Sequence, residues 1–133
     1  MYASELALAV DLARRAGALQ LESLGRLRHV TAKGPHDIVT EADTRSEALI
    51  LAGLQEAYPD DAIIAEESGP HRGRRGRGPE PAAGVGRSWV VDPLDGTINY
   101  ANGLPLFCVS ICLAVDGRPT VGVVYDPTRG ELF

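Results

Sequence analysis

Trp89-Val90-Val91-Asp92-Pro93-Leu94-Asp95-Gly96-Thr97-Ile98-Asn99-Tyr100 is an apolar, strand-forming run that ends abruptly in closely spaced acids. Trp89, Val90 and Val91 favour a buried strand. Pro93 offers no N–H to a ladder and fixes φ, so the spacing predicts that the strand stops where the carboxylates begin. Asp92 and Asp95 are then presented at a strand end on short side chains with few rotamers to lose. Gly96 permits close backbone approach, and Gly96-Thr97 would open a helical turn whose free N–H groups can hold a phosphate oxygen. Hard oxygen ligands beside an anion cradle suit Mg²⁺, which uses few carboxylates and completes its shell with water and substrate phosphate.

Upstream, Ala62-Ile63-Ile64-Ala65 reads as a second short buried strand that also ends in acids, Glu66-Glu67-Ser68. Side chains alternate across a strand, so one of the two Glu residues turns inward. If this strand lies beside the one holding Asp92, Glu66 can share an ion with it. Downstream, Asn102-Gly103-Leu104-Pro105 is turn-like and Phe107 to Val115 is a long strand. Asp116-Gly117 makes a tight hairpin turn and Thr120 to Tyr125 the partner strand. Glu131-Leu132-Phe133 reads as the start of another strand, and the expectation is of a longer parent chain. Cys108 and Cys112 share one face of their strand, too far apart to pair, and read as reduced structural thiols.

Nearer the N-terminus, Leu6, Val10, Ala13, Gly17, Leu21 and Leu24 recur at helical steps, predicting an amphipathic helix from Ser4, its expected cap, to about Leu27. Lys33-Gly34-Pro35-His36-Asp37 carries loop signals. Thr40-Glu41-Ala42-Asp43 matches a capping pattern for a second helix, with Ile50, Leu51, Leu54 and Tyr58 as its apolar face and Pro59 as its stop. Capping alone would account for Asp43.

The 133 residues suffice for one cored domain, 44% hydrophobic and 23% charged. A net charge of −5 argues against a generic nucleic-acid binder. Charge is uneven: residues 69–88 hold five Arg against one Glu, a local +4 that leaves −9 elsewhere. With almost no large apolar residues, 69–88 is expected to be a flexible Arg/Gly/Pro-rich loop, either a solvated connector or a contact for an anionic partner. No run reaches the ~18 apolar residues of a membrane span and no secretory signal is visible, which points to a cytoplasmic protein.

Asp followed by Asp-Gly-Thr also occurs in phosphatases with a covalent Asp nucleophile. Haloacid-dehalogenase-like enzymes, however, use Asp-x-Asp-Gly-Thr near the chain start, whereas two residues separate Asp92 from Asp95 and the motif lies deep in the chain. An EF-hand would need alternating ligands and a closing Glu at the twelfth position from Asp92, which is absent.

Lys33-Gly-Pro-His-Asp37-Ile-Val-Thr-Glu-Ala-Asp43, Glu66-Glu67-Ser68, Trp89 to Tyr100 and Val121-Gly-Val-Val-Tyr-Asp-Pro127 together resemble the inositol monophosphatase family of Mg²⁺-dependent, lithium-sensitive phosphatases, in its N-terminal half. The resemblance implies a layered αβαβα sandwich of the sugar-phosphatase, α+β type. This chain would supply two helices packed on a largely antiparallel sheet, with the C-terminal α/β half missing. It implies that Glu66, Asp92 and the Leu94 carbonyl hold one Mg²⁺, that Asp92 and Asp95 hold a second, and that a weaker third lies near Glu66. Thr97, with Glu66, would orient and help deprotonate water, and Asp43 would act from behind Thr97. Asp95, Gly96 and Thr97 would bind the substrate phosphate, and Lys33, Asp37 and Glu67 would support the site.

The substrate implied is a small phosphorylated alcohol, foremost myo-inositol 1-phosphate. Histidinol-phosphate and 3′-phosphoadenosine 5′-phosphate phosphatases of the same fold are alternatives, as is a non-catalytic metal-binding or regulatory protein using the Arg-rich loop. The family's further Asp ligand follows a Trp, and Trp89 is the only Trp here. The 133 residues alone are thus expected to be weakly active or inactive, and the full-length protein to be a homodimer acting without nucleic acid or membrane.

Overall fold

The computed structural model describes residues 1–35, 37–73 and 85–133. Its elements run α1 (Ala3–Ser23), β1 (Val30–Gly34), β2 (Asp37–Thr40), α2 (Glu41–Ala57), β3 (Ala62–Ala65), β4 (Gly69–His71), β5 (Arg87–Asp95), α3 (Thr97–Ala101), β6 (Cys108–Val115), β7 (Arg118–Asp126) and β8 (Glu131–Leu132). Strands β3 to β8 form one sheet in the order β4-β3-β5-β6-β7-β8, while β1 and β2 make a separate hairpin. Only the β3/β5 pair of the large sheet is parallel; the others are antiparallel. The expected architecture of α1 and α2 on a largely antiparallel sheet is the one observed, with α3 as a short third helix.

Strand alternation builds the core. Trp89 and Val91 of β5, and Val109, Ile111 and Leu113 of β6, point to the helices and are buried, whereas Val90 between them is 43% exposed on the opposite face. Against them pack Leu12, Ala13 and Ala16 of α1 and Ile50 and Leu54 of α2. A smaller cluster of Ala42, Leu94, Tyr100 and Phe107 lies under α3, with Tyr100 edge-on to Phe107 at 4.9 Å. Cys108 and Cys112 are free thiols on one strand, as their spacing predicts.

Several local expectations are corrected. Ser4 does not cap α1: the cap is Tyr2 (φ 61°), without a side-chain hydrogen bond. The helix ends at Ser23 rather than Leu27, because Leu24 is extended and Gly25 takes φ 75°, a left-handed terminator. Pro93 does not stop β5. The register slips between Asp92 and Asp95, and this irregularity lets the strand pass a residue that cannot donate. The 33–37 loop is the end of the β1/β2 hairpin, with Gly34 opposite Asp37; His36 lies outside the described residues. Of the 69–88 stretch, Gly69–His71 pairs with β3 as β4, and Arg87–Ser88 opens β5. Its residues 74–84, with Arg74, Arg75 and Arg77, lie outside the described residues.

Gly17 sets the contact of α1 with β7. A Cβ there would stand 2.6 Å from Tyr125 Cε1 and 2.9 Å from Pro127 Cβ. Gly17→Val is therefore expected to destabilise the protein by about 1–3 kcal/mol through overpacking. The check is a lower urea midpoint with an unchanged slope.

Candidate functional site

Parallel pairing decides where the acids go. Because β3 and β5 run the same way, with Ala65 opposite Val91, their C-terminal ends emerge together, and Glu66 follows one as Asp92 follows the other. The Glu66 N–H donates to the Val91 carbonyl at 3.0 Å, which continues the ladder to the first acid. The slipped register then places Asp95 opposite Cys108, and Gly96 (φ 93°) turns the chain into α3. No side chain fits at Gly96, since a Cβ would lie 2.6 Å from the Leu106 carbonyl oxygen.

These segments enclose a cleft of about 260 Å³ lined by Lys33, Asp37, Glu66, Glu67, Asp92, Leu94, Asp95, Gly96 and Thr97, with Ile98 and Asn99 at its end. Every site residue singled out from the sequence lines it except Asp43, which is fully buried behind it. Asp43 combines two readings in one carboxylate. Its Oδ2 accepts from the Thr40 N–H at 2.9 Å and from the Thr40 hydroxyl, completing the capping box of α2. Its Oδ1 accepts from Thr97 Oγ1 at 2.8 Å. The same hydroxyl lies 3.1 Å from the Leu94 carbonyl.

Among the described residues Lys33 is the one cation lining the cleft, with five carboxylates. Its ammonium donates to Glu67 at 3.1 and 3.3 Å and lies 3.7 Å from Asp37 and 4.0 Å from Glu66. Burial alone would lower its pKa, but the Glu67 hydrogen bond and the surrounding negative charges raise it. Glu67 is also raised: burial and the charges of Asp43 and Glu47 outweigh the help Lys33 gives its ionised form. For this pair, Lys33 is the securely charged partner.

Two residues that hold the site were not singled out by sequence reasoning. Gln20 of α1 is fully buried and its amide donates to the Pro93 carbonyl at 2.6 Å and to Ser46 Oγ at 3.1 Å. The main-chain carbonyl of Gln20 accepts from the Tyr100 hydroxyl, whose pKa burial and the nearby Asp43 and Glu41 charges push up to about 12. Glu47 of α2, only 4% exposed, accepts from the Glu67 and Ser68 N–H groups at 2.8 and 3.1 Å. The available signal was positional: Gln20 extends the Ala13, Ala16, Gly17 stripe and Glu47 the stripe of Ile50 and Leu54, so both are polar residues on buried faces.

Asp92 carries the clearest mark of an ion site. Its Oδ1 is buried with no hydrogen-bond partner. Burial first, then the charges of Asp95 and Glu66, push its pKa up to about 6. An ionised carboxylate so placed needs a cation. Among the described residues no three His, Cys, Asp or Glu side chains already converge as a closed cluster. The oxygen-only donor set of Glu66, Asp92, Asp95 and the Leu94 carbonyl nevertheless fits a hard divalent ion that keeps several waters.

A profile of the inositol monophosphatase family matches residues 1–133. The chain is 43% identical over 128 residues to inositol monophosphatase 1 of Solanum lycopersicum, covering 96% of this chain and 45% of that protein. It is equally 43% identical, over 130 residues, to the Nus factor SuhB of Pasteurella multocida, with the same coverage. Among solved structures, the suppressor protein suhB of Bartonella henselae superposes with a TM-score of 0.87 at 34% identity, over 98% of this chain and 47% of that one. An inositol monophosphatase of Thermotoga maritima gives 0.83 at 33%, over 97% and 46%. The chain thus spans about half the length of the relatives it matches.

Asp92 supplies a pH signature. As pH rises past the ordinary value near 3.8 the unfolded chain loses this proton, while the folded chain keeps it to about 6. The metal-free protein should therefore lose stability from Asp92 across that window and stay penalised above it. In chelator at pH 7, Asp92→Asn is expected to have a higher urea midpoint than the parent and to lose this fall between about pH 4 and pH 6. A lower midpoint at pH 7 would refute the assignment of Asp92 as an uncompensated buried acid.

Proposed function

The chain belongs to the inositol monophosphatase family, and on that footing we propose that it carries the metal and water-activating part of a phosphatase acting on a small phosphate monoester, foremost myo-inositol 1-phosphate. The observation that carries the reading is the meeting, in one cleft, of three strand-end acids with the Asp43–Thr97 pair. Glu66, Asp92 and the Leu94 carbonyl would hold one Mg²⁺, Asp92 and Asp95 would hold a second, and Glu66 would contribute to a third, weaker one. When bound, paired Mg²⁺ ions neutralise phosphate charge and lower the pKa of a coordinated water.

The chain's own groups do the rest. Thr97 donates its hydroxyl hydrogen to Asp43, so a lone pair of its oxygen is left to face the water, and as Thr97 takes a proton from that water its own passes to the Asp43 carboxylate. Glu66, across the cleft, supplies the second acceptor that fixes the water's orientation. The Gly96 and Thr97 N–H groups, at the opening of α3, would donate to a phosphate oxygen. Asp95 would repel a phosphate directly and serves it as a shared metal ligand. Attack by water forms a new P–O bond as the P–O bond to the alcohol breaks, with no covalent enzyme intermediate, and the departing alkoxide takes its proton from solvent water. Lys33, held by Glu67 beside Asp37, limits repulsion between the acids before an ion arrives.

Since the chain spans 45% of the relatives' length, weak or absent turnover by these 133 residues alone belongs to the same proposal, as do a homodimeric, cytoplasmic longer protein and the histidinol-phosphate and 3′-phosphoadenosine 5′-phosphate alternatives. Among the described residues no helix is long and apolar enough to cross a membrane. A second, regulatory reading is favoured by the relatives named Nus factor SuhB. Its test is a deletion confined to residues 74–84, which spares β4 and Arg87; loss of protein-partner binding with unchanged cation affinity would support it.

Phosphate release from the three candidate substrates, with Mg²⁺ and with chelator, tests the enzymatic reading. A longer protein carrying this chain should turn over only with Mg²⁺, and the 133 residues alone below about 1 per second. Thr97→Val in the longer protein should lower kcat about 10²–10⁴-fold with little change in Mg²⁺ affinity. Metal-independent turnover, or a Thr97→Val variant with parental kcat, would sink it.

A further inference from the structure

We propose that Glu47 is a positioning residue for the metal site: its buried carboxylate fixes the backbone of the Glu66–Ser68 turn so that Glu66 stays beside Asp92 whether or not an ion is bound. The inference rests on the reading of Glu66 and Asp92 as shared ion ligands.

Three successive N–H groups of the turn are held from two sides. Glu66 N–H is bound by the Val91 carbonyl of β5 at 3.0 Å, while Glu67 and Ser68 N–H are bound by Glu47 Oε2 and Oε1 at 2.8 and 3.1 Å. A bidentate carboxylate on consecutive backbone amides is a charge-assisted clamp, stronger than a neutral pair. It grips main chain rather than side chain, so the Glu66 carboxylate, 54% exposed, remains free to swing toward an ion. A clamp is needed because like charges converge here. Glu66, Asp92 and Asp95 line the same cleft, and an unrestrained turn would relieve the repulsion between their carboxylates by retreating from β5. Glu47 denies that retreat from a helix whose register is fixed by its core residues Ile50 and Leu54. Its isolation from solvent makes the clamp costly to break, since a buried carboxylate without partners is strongly disfavoured.

Glu47→Gln keeps the size but can offer only one acceptor where two N–H groups converge. The experiment measures Mn²⁺ affinity of the parent chain, Glu47→Gln, Asp92→Asn and the remote destabilised Gly17→Val by electron paramagnetic resonance. All are kept at a temperature where each is folded by circular dichroism. Amide exchange of Glu67 and Ser68 is read in the metal-free proteins. The expected result is protected Glu67 and Ser68 amides in the parent, loss of that protection in Glu47→Gln, and Mn²⁺ affinity lower by about 10–100-fold, the usual range for groups that orient metal ligands, with Gly17→Val near parental. If Glu47→Gln does not fold, Glu47→Asp, which keeps the charge but falls a methylene short, takes its place with the same expected result.

Parental affinity in the Glu47 variant while Asp92→Asn abolishes binding would overturn the inference and leave the metal-site reading standing. A loss no larger than that of Gly17→Val would overturn it too, since the residue would then be merely structural. No Mn²⁺ binding by the parent, or binding unaffected by Asp92→Asn, would bring down the metal-site reading and this inference together.

Discussion

The structure depends on the need of α2 to satisfy a buried polar face. Asp43, Ser46 and Glu47 lie one helical turn apart on the side of α2 that continues into its apolar core residues, and all three are withdrawn from water. Burying a polar group without a partner is costly. Each partner here is a different piece of the cleft: Asp43 takes the Thr97 hydroxyl, Ser46 the Gln20 amide that also reaches Pro93, and Glu47 the amides after Glu66. One rigid helix therefore references three chain segments that are far apart in sequence. The site's precision comes from this shared backing more than from the cleft wall.

A second polar cluster secures the strands. Arg87, opening β5, donates to Asp61 just before β3 at 3.0 and 3.1 Å and to Glu5 of α1 at 3.1 Å, and lies over the Tyr58 ring. Trp89 donates its indole N–H to the same Asp61 at 2.9 Å and packs near Tyr58. The hydrogen bonds and the Asp61 charge raise the Arg87 pKa further, so the guanidinium stays charged. The cluster locks the start of both strands of the parallel pair. A one-residue slip of β3 on β5 would turn Glu66 to the opposite face from Asp92. The end of the sheet remote from the cleft thus fixes the alignment of the acids at the cleft.

Much of this was legible in the sequence because the periodicities are strong and the punctuation local. Asp116-Gly117 turns the β6/β7 hairpin with φ 50° and 75°, as its composition demands. The α2 boundaries followed from Thr40 and Pro59. The strand-end acids of β3 and β5 could be brought together by assuming that the strands were neighbours. What stayed hidden depends on three-dimensional partners. Pro93 reads as a strand breaker because the register slip that accommodates it is set by β6. Gly69-Pro70-His71 has no strand signature and becomes a strand by pairing with β3. Gln20 and Glu47 look like ordinary helix residues until the stripe they occupy is known to face inward.

Asp43 has a longer-range consequence. One of its oxygens starts α2 and the other holds the Thr97 hydroxyl, so the fraying equilibrium of a helix terminus and the orientation of a cleft hydroxyl are not independent variables. Substitutions at Thr40, remote from the cleft surface, reach Thr97 through a single carboxylate. A substitution in the first turn of α2 therefore acts on a cleft hydroxyl as well as on the helix end.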